Sequence, residues 1–231
     1  MESKQNNEEV NFMLFTPAEV LRESFEVYGK FYKYHIDGRS LKMRGQAKIV
    51  RKDADTEQAD CIVIMINPGS RTPSETYVYP SHHGKSEFVK VKDDQTQHQM
   101  MRLMERVGYN RLDIINLSDI CESNLTNFFR LMKDFQSQGS NAHSIFSKQR
   151  ADEVKEIIGH DTPIILGWGT GVVIKGLAEK ALTSLGDRGN IYGVKHAKHP
   201  FYYHPKPPVI KNRIQWLERM EAQLKGEPCF G

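Results

Sequence analysis

Cysteine is scarce. Cys61, Cys121 and Cys229 are the only three, far apart, with no Cys-x-x-Cys pair. That pattern signals neither a disulfide framework nor a zinc or iron–sulfur site, and it fits a reducing, cytoplasmic setting. Long apolar runs are also missing. No stretch approaches a membrane span, and the polar first residues do not read as a signal peptide. A large excess of one charge sign is absent too. The net is +3, which permits nucleic-acid binding without arguing for it. There is no internal repeat and no low-complexity tract. What is there is 231 residues, enough for one sizeable α/β core. Residues 1–11 read as a flexible tail and 12–231 as a single domain, with no cofactor or membrane partner expected and the oligomeric state open.

The organising stretch is Cys61-Ile62-Val63-Ile64-Met65-Ile66-Asn67-Pro68-Gly69-Ser70. An apolar run with no polar alternation suits a strand covered on both faces. It runs into Asn-Pro-Gly, where Pro fixes φ and Gly lets the backbone approach a ligand closely. Leu112–Leu117, Pro163–Trp168 and Ile191–Val194 repeat the strand signal, with helical patterns between them. The expectation is α/β: a three-layer α/β/α domain with a four-stranded, largely parallel central sheet plus an N-terminal hairpin. That hairpin turns at Asp37-Gly38, a two-residue turn signal, and its polar face places it at the sheet edge or outside it. A helix from Thr16-Pro17 is expected to run to Gly29, and another to start at Asp93-Asp94-Gln95-Thr96 and end at Gly108. Residues 136–147 read as a surface loop, and 71–92, with Arg71, Tyr77, Tyr79, His82 and His83, as a long functional connection.

If the strands are parallel, their ends deliver Asn67, Asn116, Gly169-Thr170 and His199 to one edge, where open α/β sheets bind ligands. Each residue has a bland reading as well. Asn116 could be a turn former. Gly167-Trp168-Gly169-Thr170-Gly171 lacks a P-loop's Lys-Ser/Thr ending and reads as a tight turn, with a backbone contact to an anion as the alternative. Trp168 reads as core, and Asp93 and Asp94 as helix caps or as carboxylates at a pocket rim. The segment Lys195–Pro208 interleaves lysines, aromatics and prolines. Lysines can neutralise phosphates and aromatics can stack on bases, whereas the bland reading is a stiff loop whose aromatics pack inward. A metal held by His196, His199 and His204 with His82 or His83 is disfavoured, since no carboxylate or thiolate is placed with them.

Ile66-Asn67-Pro68-Gly69-Ser70 resembles the first motif of the uracil-DNA glycosylase superfamily, closest to its mismatch-specific uracil/thymine branch. His199-Pro200 resembles the second motif, Ile115-Asn116-Leu117 a strand ending in a base-reading Asn, and Leu166-Gly167-Trp168-Gly169 the strand and turn before a helix. The chain is also similar to a family of uncharacterised bacterial and phage proteins with an Asp-Asp-x-Thr segment (Asp93, Asp94, Thr96) and a terminal His-Pro. The resemblance implies a nucleobase N-glycosidic hydrolase acting on uracil or a modified base in DNA. Asn67 would position the attacking water and His199 would donate to the departing base oxygen. Asn116 would read the extruded base, Tyr77 or Tyr79 would stack on it, and Ser70 would join them. Phe201 or Tyr202 would fill the gap left in the duplex, while Lys195, Lys198 and Lys206 would hold phosphates. The second motif departs from the pattern, with Phe-Tyr-Tyr where a Ser and a leucine-type wedge belong, and the aspartate of the most active uracil enzymes is absent. Two alternatives stay open: a non-catalytic nucleic-acid-binding module, and an enzyme on a small nucleotide-like ligand.

Overall fold

The computed structural model describes residues 15–70 and 72–226. The expected tail over 1–11 lies outside the described residues, as do Arg71 and Cys229. The chain begins with a short helix, α1 (Ala18–Ser24), followed at once by β1 (Phe25–Ile36). The helix does not reach Gly29. From Phe25 to Tyr28 burial alternates residue by residue, the period of a strand rather than a helix. β1 turns through Asp37 (φ 48°) and Gly38 (φ 68°) into β2 (Arg39–Arg51), with Ile36 opposite Arg39. Positive φ at both central residues is what a tight hairpin between right-twisted strands requires.

The remaining elements in chain order are β3 (Cys61–Met65), β4 (Phe88–Lys90), α2 (Gln95–Val107), β5 (Arg111–Asn116), α3 (Leu125–Ser137) and α4 (Ala151–Ile157). They are followed by β6 (Ile164–Leu166), α5 (Lys175–Leu185), β7 (Ile191–Tyr192) and α6 (Ile210–Lys225). The α/β class is as expected, and the sheet is not. Among the described residues it has seven strands, in the order β4-β1-β2-β5-β3-β6-β7. β5, β3, β6 and β7 pair in parallel, whereas β4–β1, β1–β2 and β2–β5 are antiparallel and hold most of the ladder. The hairpin is therefore neither an edge nor an embellishment. β2 pairs with β5 from Ala47↔Ile114 to Val50↔Arg111, and β4 lies outside β1. Its polar residues suggested a solvent face, but Tyr32, Arg44 and Gln46 are buried.

Two apolar cores lie on the two sides of the sheet. Ile62 and Ile64 of β3 face Phe128, Phe135, Val154, Leu177 and Ala181 from α3, α4 and α5. Cys61, Val63 and Met65, the alternate residues, face Leu21, Met100, Met104, Leu217 and Met220 from α1, α2 and α6. Each such aliphatic side chain removed from water contributes about 1.5–3 kcal/mol. Residues 136–147 are not a plain surface loop. His143, Ser144, Ile145, Phe146 and Ser147 are all buried, and the His143 carbonyl accepts the Asp119 N–H at 2.7 Å. Among the described residues, no helix is long and apolar enough to cross a membrane.

Candidate functional site

The register of β1 and β2 slips by one residue, Lys30 facing Gln46 while Phe31 faces Arg44. Gly45 is the extra residue, a β-bulge, and a bulge re-aims every side chain beyond it. Ala47 and Ile49 belong to the core under α1, α2 and α6. Strict alternation would put Gly45 on that side and Arg44 on the other. Instead, the space beside Gly45 faces Asp119, Tyr32 and Arg150, and Arg44 joins the α2 side, at the carboxyl ends of the parallel strands.

A cleft of about 320 Å³ opens there. Its walls include Arg44, Asn67, Asp94, Gln97, His204 and Lys206, with Met65 and Ile114 beneath. Asn67 follows β3. Its side-chain amide donates to the Ile120 carbonyl at 3.3 Å and to the Glu122 carbonyl. Both N–H groups are thereby used, and Oδ1 is left as an acceptor. Gly69 holds φ 70°, which makes the turn after Pro68 a glycine position.

Asp94 and Gln97 come from the start of α2. The Asp94 carboxylate accepts the N–H groups of Thr96 and Gln97, and the Gln97 Oε1 accepts the Asp94 N–H, a reciprocal capping box. The Gln97 Nε2 is buried without a partner. His204 arrives from the loop before α6. Its Nδ1 accepts the Lys206 backbone N–H at 3.1 Å, so the neutral ring carries its proton on Nε2. Burial pushes its pKa down to about 4, which keeps it a neutral donor at physiological pH. Arg44 is 4% exposed, and its Nε and Nη1 have no hydrogen-bond partner. Burial also lowers its pKa. The cleft thus combines an amide acceptor, a neutral imidazole donor and two cations.

Of the residues expected from the sequence, Asn67 and Lys206 line the cleft. Asn116 ends β5 opposite Met65, is fully buried, and neither amide atom has a partner. By strand alternation it shares the face of Ile114, but it is not among the cleft residues. His199 is exposed and is not among the cleft residues; the imidazole there belongs to His204. Phe201 and Tyr202 are buried, Tyr202 standing edge-on to Trp168 at 5.4 Å. Neither is free to enter a duplex, and Trp168 is core, its Nε1–H donating to the Pro200 carbonyl. Gly169 gives its N–H to the Tyr202 carbonyl at 2.9 Å, so that one N–H is not open to an anion, and Thr170 and Ser70 are exposed. Lys195 and Lys198 are exposed. Tyr77 and Tyr79 stand edge to face at 4.9 Å and lie against the hairpin, the Tyr77 hydroxyl donating to the Phe31 carbonyl and the Tyr79 ring lying near Lys33 and Lys42. Among the described residues, no group of three or more His, Cys, Asp or Glu side chains is placed to hold a metal ion.

Sequence reasoning missed Arg44 and Gln97 and left His204 in the disfavoured metal group. A glycine inside a strand pattern, Gly45, was the available sign of a bulge.

A mixed sheet between helical layers, with a polar cleft at the ends of its parallel strands, defines an α/β protein whose candidate site lies at the edge where such sheets bind ligands. Residues 79–206 match the family described as "Protein of unknown function (DUF1643)", and the match covers more than half of the chain. The chain belongs to that family. The matched segment carries Asp94, Gln97, Asn116, His204 and Lys206, while Arg44 and Asn67 precede it. No curated protein and no solved structure matches the chain.

Proposed function

We propose that the protein hydrolyses the N-glycosidic bond of a nucleobase, in the manner of the uracil-DNA glycosylases its first motif resembles, with the strand-end cleft as active site. The observation that carries this reading is the pairing of polarities at Asn67 and His204. Asn67 Oδ1, held outward by the two carbonyls that occupy its amide, accepts a hydrogen bond from a water and aims its oxygen at C1′. Asn is no base, so the bond breaks by departure of the base with the electron pair. His204 Nε2–H donates to the base oxygen on which that charge collects. The water's proton passes to solvent, the departed base anion takes a proton up from solvent, and the products are the free base and the hydroxyl sugar.

Within this reading the substrate could be a base in DNA or a small nucleotide. One observation favours the small molecule: Phe201 and Tyr202, which would have had to wedge open a duplex, are built into the core. The test is a screen for base release across oligonucleotides carrying uracil, hypoxanthine and hydroxymethylpyrimidines, and across free nucleosides and nucleotides. Release from one of them, lost by about 10²-fold or more in Asn67→Ala and in His204→Ala and retained in His199→Ala, is the expected result. No release from any substrate, or activity indifferent to both Asn67 and His204, removes the assignment.

A further inference from the structure

We propose that the ligand of this cleft carries a terminal oxyanion, gripped by the Arg44 guanidinium together with Gln97 Nε2 and Lys206. This deepens the reading above and takes the nucleoside part of the ligand from it. Two other arginines are buried. Arg102, 7% exposed, has no carboxylate; its Nε donates to the Thr16 carbonyl and its guanidinium lies over the Phe15 ring. Arg150, like Arg44, is 4% exposed, and its donors meet Asp119 and Glu153 at 2.5–2.8 Å. There the fold supplies carboxylates for a cation it takes out of water, as burial of charge demands. At Arg44 no carboxylate makes a hydrogen bond or ion pair, and Asp94 and Asp119 act on it only from farther off. Nε and Nη1, which lie on different edges of the planar guanidinium and each of which can face two oxygens together with Nη2, are both buried and unpaired.

The surroundings agree. The carboxylate among the cleft residues, Asp94, spends Oδ1 on the first turn of α2. Gln97 turns its acceptor to the cap and leaves a buried donor. Lys206 adds a second charge at the opening. A site with two cations and a spare amide donor lacks an anion of small radius, a phosphate monoester or a carboxylate. The depth of Arg44 decides how that anion arrives. A group reaching a side chain 4% exposed comes in end first, which a terminal phosphate can do and a diester flanked by sugars on both sides cannot. The substrate class is therefore a nucleoside monophosphate. A carboxylated base is the other source of the same chemistry, and an internal nucleotide of a DNA strand is not.

The experiment is calorimetric titration of the full-length Asn67→Ala protein, which leaves Arg44 intact and removes turnover. The probes are uridine and deoxyuridine monophosphates, the matching nucleosides, orotate, inorganic phosphate and a uracil-containing single strand. Monophosphates are expected to bind about 30-fold or more tighter than their nucleosides, as charge-assisted bidentate contacts allow. Arg44→Met in that background erases the difference while raising the melting temperature, because an unpaired buried charge has gone. Arg44-dependent binding of orotate but not of monophosphates assigns the anion to the base. Equal binding of nucleotide and nucleoside with no Arg44-dependent orotate binding overturns the proposal, as does a preference that survives Arg44→Met. The two readings fail separately. Arg44-dependent binding with no base release in the native protein sinks the hydrolase and leaves the subsite, whereas base release from uracil oligonucleotides indifferent to Arg44→Met sinks the subsite and leaves the hydrolase.

Discussion

Gln97 and Asp94 hold each other at the start of α2: the Asp94 carboxylate takes the Gln97 backbone N–H at 2.9 Å and the Gln97 side-chain oxygen takes the Asp94 N–H at 2.8 Å. The box fixes which end of the Gln97 amide faces the cleft. Gln97→Glu keeps the box, since Glu serves equally at that position, and replaces the spare donor by a carboxylate oxygen near Arg44. The expected outcome is a protein at least as stable as the native one that has lost anion binding by about tenfold or more. Thermal melts with and without added monophosphate check it. A ligand-induced rise in melting temperature as large as that of the native protein would contradict it.

Acid sensitivity follows from two imidazoles, His143 buried and His204 half-buried. His204 and His143 both sit near pKa 4, each pushed down first by burial, against an ordinary value of 6.5. Between those values the unfolded chain binds more protons than the folded one, so stability is full above about pH 6.5 and falls as pH drops toward 4. By pH 5 the loss is roughly 2 kcal/mol for each imidazole. Urea unfolding at pH 7 and pH 5 measures it. His143→Gln, which removes one of the two, should cut the difference by about half; an unchanged difference would assign the effect elsewhere.

The other buried polar knot is structural. Asp119 is fully buried and accepts from the Tyr32 hydroxyl at 2.8 Å and from Arg150 Nη1 at 2.5 Å. Asp119→Ala leaves a buried guanidinium with one carboxylate instead of two and is expected to cost about 3–5 kcal/mol. Combining it with Arg150→Met should recover a good part of that loss, because the stranded charge goes as well. Chemical denaturation of the two single variants and the double variant gives the coupling. Strict additivity would mean that the pair does not act as a unit.

How much of this was legible in the sequence depended on whether the signal was local. The Asp37-Gly38 turn, the Asp94 cap, Gly108 closing α2 at φ 75° and the apolar run of β3 are all set by neighbours along the chain, and the residues alone gave them away. Asn67 was found for the same reason: a buried strand running into Asn-Pro-Gly is a local pattern. The sheet was misjudged because pairing between β2 and β5 joins residues some 65 positions apart, and no local period records it. His199 was preferred to His204 because a motif was matched in one dimension. In the fold, the Tyr202 bridges to Gly169 and Lys195 turn the two aromatics inward, and the next imidazole, His204, is the one at the cleft. Arg44 stayed hidden because alternation counted without a bulge assigns it to the wrong face.

That bulge can be tested directly. Gly45 carries no positive φ, and a Cβ there would meet Asp119 Oδ2 at 3.7 Å, Tyr32 at 3.8 Å and Arg150 at 3.9 Å, all ordinary contacts. Gly45→Ala keeps the residue count and should change stability by less than about 1 kcal/mol. Deleting Gly45 is a different matter. The Asp37-Gly38 turn pins one end of the ladder and the pairing with β5 pins the other, so losing the extra residue forces Arg44 toward the opposite face, where Arg150 already stands. A one-residue change of register sends every side chain to the other side. The deletion variant is expected to be less stable and to lose Arg44-dependent monophosphate binding, while Gly45→Ala retains both. Circular dichroism establishes whether the deletion variant is folded, and titration with the monophosphate reads the site. A folded deletion variant that binds as tightly as Gly45→Ala would show that the bulge does not aim Arg44.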